Sequence, residues 1–140
     1  MKTNVYLSFD GTCREAMTFY AQVLGGKVMA MITNGDTPMA AEMPKELHHR
    51  IVHANVVVGD TILMAGDTPA AMYQRPVGFS VNIGVDTIPE AGRVFAALSE
   101  GGEVMMPLAE TFWADRFAAF IDRYGTPWMI NCGSKEVKPG

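Results

Sequence analysis

The sequence contains one candidate acid–base pair, His53 and Glu110. His53 falls early in a predicted strand, and an imidazole titrates near physiological pH, so it can act as a base, a metal ligand or a hydrogen-bond partner. The alternative is a histidine that is simply hydrogen-bonded within a sheet. Glu110 lies two residues before Phe112 and can either pair with Arg116 or face a ligand. An acid–base role requires both groups to reach one substrate, which geometry must decide.

The two cysteines and Asp67 favour structural roles. Cys13 and Cys132 lack the spacing of metal ligands, and we expect free thiols rather than a disulfide. A position near a helix N-terminus favours a lowered pKa for Cys13, but no base is adjacent in sequence, which disfavours a nucleophile. Asp67 ends a predicted hairpin and is expected to cap a turn.

Residues 110–131 hold both tryptophans and three of the seven phenylalanines. A turn over 122–127 separates two apolar runs, Arg116–Ile121 and Pro127–Cys132, and this pattern predicts a β-hairpin. Phe112 and Trp113 precede the hairpin and are predicted, with Trp128, to contact a ligand. Trp128 and its neighbour Met129 must point to opposite faces of a regular strand, so Trp113 ranks above Trp128. The alternative is that these rings belong to the core.

Periodicity predicts the elements that position these residues. The first half is predicted to form a strand, a helix and a further strand, then a long exposed loop over 34–50 and a hairpin. Thr12 can cap the helix, and Gly25–Gly26 ends it. The hairpin turns at Gly59–Asp60. The predicted bounds are Val5–Phe9, Cys13–Leu24, Lys27–Thr33, Ile51–Val58 and 61–65. A second loop covers 66–75.

The same order of elements then begins again. A strand over 78–85 leads to a helix that opens at Glu90, and Gly101–Gly102 followed by Glu103-Val104-Met105 matches Gly25–Gly26 followed by Lys27-Val28-Met29. We predict an α+β fold: one domain, 1–140, made of two βαβββ repeats at about 1–67 and 76–134. Their curved mixed sheets would surround a cleft.

Composition limits the partners. The chain has 140 residues, a net charge of −4 and 49% hydrophobic residues, as a soluble globular domain does. Its acidity disfavours nucleic acid and anionic membranes, and no apolar run approaches the roughly 20 residues that span a bilayer. No signal peptide is recognisable, so we expect a cytoplasmic protein.

The paired βαβββ pattern resembles the vicinal oxygen chelate superfamily, which includes glyoxalase I, bleomycin- and fosfomycin-resistance proteins and extradiol dioxygenases. Within it the chain is most similar to the PhnB-like group. The segments that carry the resemblance are Tyr6-Leu-Ser-Phe-Asp-Gly-Thr-Cys-Arg-Glu-Ala16, His53-Ala-Asn-Val, Ile62-Leu-Met-Ala-Gly-Asp67, Glu110-Thr-Phe-Trp113 and Asp122-Arg-Tyr-Gly-Thr-Pro-Trp-Met-Ile-Asn131. The resemblance implies a homodimer, which would also cover exposed sheet edges.

The resemblance also implies where a divalent metal would bind. The four ligand positions of the superfamily fall at Val5 (with Asn4 as the polar neighbour), near Met64, near Ser80 and near Met129. None is a histidine or a carboxylate, which borderline and hard dications require. We therefore expect no metal cofactor, and an atypical metal site is the alternative.

Two functions follow. The first is a metal-free protein that binds a small apolar or aromatic molecule in the cleft through Trp113, Phe112, Trp128, Met64 and His53, with eleven methionines available for an adaptable lining. The alternative is an enzyme that acts on a small metabolite through His53 and Glu110 or an atypical metal site. The demethylubiquinone methyltransferase label often given to PhnB-like proteins is disfavoured. The chain lacks the glycine-rich loop and the parallel sheet that hold AdoMet in an ordinary methyltransferase.

Overall fold

The computed structural model describes residues 1–136. They form two compact units, Met1–Gln74 and the described residues from Arg75 onward, which we call the first and second modules. Each module has the order strand, helix, strand, strand, strand, and each folds as a four-stranded mixed sheet with one helix. This confirms the predicted α+β fold of two βαβββ modules.

The first module contains β1, α1, β2, β3 and β4, at Val5–Phe9, Cys13–Leu24, Lys27–Thr33, Ile51–Val58 and Thr61–Asp67. The strand order is β1-β4-β3-β2, in which β1 and β4 are parallel and the other pairs are antiparallel. The loop predicted over 34–50 contains three short 3₁₀ helices, at Asn34–Asp36, Pro38–Glu42 and Lys45–Leu47, and none of their residues is buried.

The core of the first module lies between α1 and one face of its sheet. The amphipathic helix buries Cys13, Ala16, Met17, Tyr20, Ala21 and Val23. Alternate strand residues face it, as period-two geometry requires: Leu7, Phe9, Ala54, Val56, Leu63 and Ala65. The rings of Phe9 on β1 and Tyr20 on α1 lie 6.4 Å apart.

The start of α1 differs from the prediction. Thr12 is the N-cap residue, but its side chain makes no capping hydrogen bond, because its backbone (φ −103°, ψ 7°) is not extended as a side-chain cap requires. Asp67 takes this role from the end of β4: its Oδ1 accepts from the backbone N–H groups of Gly11 (2.8 Å) and Cys13 (3.1 Å).

The second module contains β5, α2, β6, β7 and β8, at Val81–Val85, Ile88–Ser99, Glu103–Ala109, Arg116–Ile121 and Pro127–Cys132. The strand order β5-β8-β7-β6 repeats that of the first module, again with a parallel first pair. Thr87 caps α2 by accepting from the Glu90 backbone N–H at 3.2 Å. The strand predicted over 78–85 begins three residues later, and Gly78 has φ +84°, which is outside the extended region.

The second core lies between α2 and one face of its sheet. The helix buries Ala91, Val94 and Leu98. The strand residues that face it are Ala118, Phe120, Trp128, Ile130 and Cys132. Phe95 on α2 meets Phe120 edge to face at 5.6 Å. Each sheet therefore has a second face that points away from its helix, which we call the helix-free face of the first or second module.

Candidate functional site

The helix-free face of the first module carries Tyr6, His53, Asn55 and Met64. Tyr6 is the register partner of Met64 across the parallel pair, and Asn55 is the partner of Met64 across the antiparallel pair. Met64 thus lies in the sheet between a phenol and an amide. Asn55 Oδ1 is buried and accepts no hydrogen bond within residues 1–136.

Tyr6 is the largest side chain on this face, and it is 49% exposed. Its ring stacks on His53 with centroids 6.2 Å apart, and its hydroxyl donates to the Val52 carbonyl at 3.4 Å. A Cβ placed on Gly66 would overlap the Tyr6 hydroxyl, so the tyrosine occupies the space over that glycine. Burial raises the pKa of Tyr6, and repulsion from Cys13, in its ionised form, and from the Asp67 carboxylate adds to this effect, so the phenol stays protonated at neutral pH.

The helix-free face of the second module carries Asn82, Gly84, Phe117, Met129 and Asn131. Asn82 is the register partner of Met129, and Gly84 is the partner of Asn131. On the other side of β8, Asn131 is the partner of Phe117. The Asn131 side-chain amide donates to Asn82 Oδ1.

The segment before β7 places an aromatic cluster beside this face. The Trp113 ring lies 5.2 Å from Phe117 and 4.7 Å from Phe112, both edge to face. Phe112 is 71% exposed, and Trp113 is half-buried. The structure thus brings together two of the predicted ligand contacts, Phe112 and Trp113.

Hydrogen bonds hold this aromatic segment in place. The Thr111 hydroxyl accepts from the backbone N–H groups of Trp113 (3.3 Å) and Ala114 (3.0 Å). The backbone N–H of Lys135 donates to the Trp113 carbonyl at 2.8 Å, and the Lys135 ammonium donates to the Thr111 carbonyl at 3.0 Å. These bonds fix the backbone of the segment that carries the two rings.

Glu110 pairs with Lys135 at 2.9 Å rather than with Arg116. The hydrogen bond and charge of Lys135 lower the pKa of Glu110, and Arg116 adds a smaller effect in the same direction. The Glu110 side chain is 67% exposed. Glu110 is therefore ionised at neutral pH and accessible to solvent, whereas a general base works best with a pKa near the operating pH.

Trp128 lies in the core, with 1% of its surface exposed. Its indole Nε1–H donates to Asp122 Oδ2 at 2.8 Å, and Asp122 Oδ1 accepts from the backbone N–H groups of Tyr124 and Thr126. Strand alternation puts the half-buried Met129 on the helix-free face instead. The ring of Trp128, a predicted ligand contact, therefore points away from that face.

The cysteines are free and buried. Burial, with a further contribution from the charge of Asp67, raises the pKa of Cys13 to about 12. The positive charge of Arg14 lowers this pKa, but by less. The sequence expectation of a lowered pKa is wrong, because the thiol points into the core between α1 and the sheet rather than to solvent at the helix terminus.

The residues present do not fit a divalent metal within either module. Met64 and Met129 occupy matching register positions on the two helix-free faces. Val5 pairs with the buried Leu63 on the helix side, and Ser80 precedes β5, so Tyr6 and Asn82 are the actual neighbours of the two methionines. Within residues 1–136, no three His, Cys, Asp or Glu side chains are grouped to hold a metal ion. Thioethers are soft ligands, and the neutral phenol and amides bring no negative charge, so these positions lack the imidazole and carboxylate groups that usually hold a protein-bound dication.

Sequence reasoning missed four side chains on these faces: Tyr6, Asn55, Asn82 and Asn131. The signal for Tyr6 was present in the alternation of β1. Asn82 and Asn131 lie 49 residues apart, and only the parallel pairing of β5 with β8 brings them together.

The fold and these faces define a class of paired βαβββ proteins. The family model described as the Glyoxalase/Bleomycin resistance protein/Dioxygenase superfamily matches residues 2–130, and the chain belongs to this superfamily. It is 34% identical to the protein YjdN of Escherichia coli (strain K12) over 139 residues, which cover 94% of this chain and 95% of that protein. No helix in the described part of the chain has the length and apolar character to cross a membrane.

Two solved structures are similar throughout. Protein PA1353 from Pseudomonas aeruginosa is 44% identical with a TM-score of 0.84, covering 94% of this chain and 98% of that one. The PhnB protein from Bacillus cereus, which carries the name of a 3-demethylubiquinone-9 3-methyltransferase, is 21% identical with a TM-score of 0.80, covering 95% of this chain and all of that one. The latter similarity shows the shared fold.

Proposed function

We propose that this protein binds a small apolar or aromatic molecule without a metal ion, and that Trp113 provides the principal contact. The observation that carries the proposal is the Phe112–Trp113–Phe117 cluster at the helix-free face of the second module. An exposed phenylalanine is unfavourable in water, and a ligand that covers it would gain the apolar area that folding leaves uncovered. Because backbone hydrogen bonds already fix the segment, binding would cost little ordering entropy.

Met129 would extend the contact surface of the second module, and Met64 and His53 would offer an equivalent one on the first. A methionine side chain adapts to ligands of different shape at low cost. Trp128 is left out of the proposed contacts because its ring is enclosed by the core.

Mutation of the aromatic segment tests the binding proposal. Uncharged bicyclic aromatics such as indole, quinoline and 2-naphthol would be screened by ligand-observed NMR and then titrated. A buried aromatic contact contributes on the order of 1 kcal/mol beyond its area, so Trp113→Ala should weaken binding at least several-fold. Phe79→Ala is the control, because it removes an exposed ring of the same module that lies outside the cluster. Equal affinity in Trp113→Ala and the parent would place the site elsewhere.

The metal-free state is part of the proposal, supported by the poor ligand character of Tyr6, Met64, Asn82 and Met129. A metal that binds only the folded protein raises its stability by mass action. We therefore expect purified protein to contain no stoichiometric Ni, Zn, Mn or Fe, and EDTA to leave Tm unchanged. A fall in Tm of several degrees with EDTA would contradict this part.

The enzyme alternative gains no support from either module. Glu110 is held in an exposed ion pair, and His53 stacks on Tyr6. Methyltransfer is also not proposed, because each module has a mixed four-stranded sheet with one helix, and the short turn at 10–12 between β1 and α1 offers no glycine-rich cofactor loop.

We also propose that the protein is a homodimer. The edge strand β6 exposes Val104, Met105 and Met106 in succession, so apolar side chains are uncovered on both of its faces. Long apolar edge strands invite pairing, and natural proteins blunt them with charge when they stay monomeric. Light scattering should give twice the chain mass at micromolar concentration, and Met105→Lys should shift it toward the monomer mass. A parent monomer would refute the proposal.

A further inference from the structure

We propose that the helix-free face of the second module contains a polar subsite, formed by Asn82, Asn131 and Gly84, that recognises an amide-like edge. The ligand class is a flat aromatic molecule with an N–H donor and a C=O acceptor side by side, as in a lactam or a primary carboxamide. This inference deepens the proposed function of the same face and rests on it.

The amide pair provides complementary hydrogen-bonding groups. The Asn131 amide donates to Asn82 Oδ1, and neither side chain has another hydrogen bond within the described residues. Each carboxamide has two donors and one acceptor oxygen. Whichever amide is the donor in the pair, one NH₂ group and one carbonyl oxygen remain for a ligand. A lactam edge presents the matching donor and acceptor.

Gly84 provides space beside this pair. It is the register partner of Asn131, and a Cβ placed on it would meet no atom within 4 Å. Its φ is not positive, so the backbone does not require glycine here. A small group of a ligand can therefore sit directly against the strand, next to both amides.

The aromatic cluster lies on the opposite side of Asn131. Phe117 is the partner of Asn131 across β7 and β8, and its ring contacts Trp113. Phe117 is itself buried, so the ligand would rest against Trp113, whose ring lies 5.2 Å from that of Phe117. Neighbouring strands are about 5 Å apart, so a two-ring ligand there has the length to bring one polar edge to the amides. Apolar and polar recognition would then act on two ends of one molecule.

Isothermal titration of the full chain with 2-quinolinone and N-methyl-2-quinolinone tests the subsite. The two probes share their rings and carbonyl, but only the first has the N–H donor. We expect the parent protein to bind 2-quinolinone at least about fivefold more tightly, the gain typical of one additional hydrogen bond. Asn131→Ala should abolish this preference, and Gly84→Ala should weaken 2-quinolinone binding at least about threefold by filling the space.

Gly92→Ala is the matched control for Gly84→Ala. It makes the same change in the same module, also with no atom within 4 Å of the new Cβ, but on α2. It should bind both probes like the parent. In ¹⁵N NMR spectra, the side-chain NH₂ signals of Asn82 and Asn131 should shift with 2-quinolinone more than with its N-methyl analogue.

The outcomes separate the two proposals. If both probes bind the parent equally and Asn131→Ala changes nothing, while Trp113→Ala weakens both, the polar subsite is refuted and the aromatic site stands. If the N-methyl probe binds more tightly than 2-quinolinone, the subsite is likewise refuted. If neither probe binds, and the uncharged bicyclic aromatics do not bind either, the proposed function fails together with the inference.

Discussion

The two modules use the same strand order and register but fill equivalent positions differently. Tyr6 beside Met64 corresponds to Asn82 beside Met129. Two residues further along β4 the first module has Gly66, whose free space the Tyr6 ring takes up. The first module thus fills this part of its helix-free face with its own aromatic side chain.

The second module leaves the equivalent place to smaller groups. Asn131 occupies the position of Gly66, Gly84 that of Ser8, and open space remains above Gly84. The difference shows that a repeated fold can keep one face internally filled and keep the other accessible, and it is the accessible one that borders the Trp113 cluster.

Each module also contains an aspartate whose carboxylate accepts several hydrogen bonds, but the two aspartates lie at different places in their modules. Asp67 connects the end of β4 to the start of α1 and, through Oδ2, to the Ile51 backbone N–H at 2.8 Å. Asp122 organises the turn between β7 and β8 and binds Trp128. The comparison predicts which substitutions will unfold a module and which will affect only its surface.

The largest contrast is expected between the two tryptophans. Trp128→Ala removes a fully buried ring and leaves the Asp122 carboxylate without its indole donor, so unfolding free energy should fall by about 3–5 kcal/mol. Trp113→Ala removes a half-buried ring outside the strands and should cost much less, about 1 kcal/mol. Urea unfolding of both variants measures this. Equal losses would mean that Trp113 is a core residue too.

The next effect concerns Asp67. Asp67→Ala leaves three backbone N–H groups without their acceptor, and unfolding free energy should fall by about 2–4 kcal/mol. Asp60→Ala, in the exposed turn between β3 and β4, is the control and should change it by less than about 0.5 kcal/mol. A similar small change at Asp67 would show that solvent replaces the carboxylate without loss.

One substitution made in both modules tests the comparison of their faces. Gly66→Ala places a methyl group against the Tyr6 hydroxyl and the Val52 carbonyl and should destabilise by about 1–3 kcal/mol. Gly84→Ala meets no atom and should stabilise by about 0.5 kcal/mol through the unfolded chain. Thermal unfolding of the two variants should give Tm changes of opposite sign. Tm changes of the same sign would show that the two helix-free faces do not differ in the space beside the glycine.

The smallest expected effect is that of the exposed Glu110–Lys135 pair. Because the folded pKa of Glu110 is lowered, its contribution to stability is present above the unfolded value of about 4.3 and is lost as pH falls through the lower folded pKa. Glu110→Gln should therefore lower Tm slightly at pH 7 and low salt, and not at pH 2–3. A difference that persists at low pH would have a cause other than this ion pair.

Most of the fold could be predicted from local signals. Periodicity and glycine turns give the bounds of β1, α1, β2, β3, β7 and β8, and the repeated Gly-Gly segments give the two modules. The errors lie where tertiary contacts override local preference. Asp67 replaces Thr12 as the acceptor at the start of α1, and the burial of Cys13 reverses the expected direction of its pKa shift.

The candidate site could be predicted only in part. Phe112 and Trp113 stand out because they precede a hairpin, and alternation shows that Trp128 and Met129 cannot share a face. The cross-strand neighbours of Tyr6 and Asn131, in contrast, depend on parallel pairing between strands far apart in sequence, which no local pattern encodes.

The central claim, binding without a metal, is tested most directly by one titration in two conditions. Protein freed of metal with EDTA and the same protein supplied with Mn, Ni or Zn would each be titrated with the best aromatic compound of the NMR screen. We predict the same Kd in both conditions, because the groups beside Met64 and Met129 include neither imidazole nor carboxylate. Binding that appears only after metal is added would contradict this account.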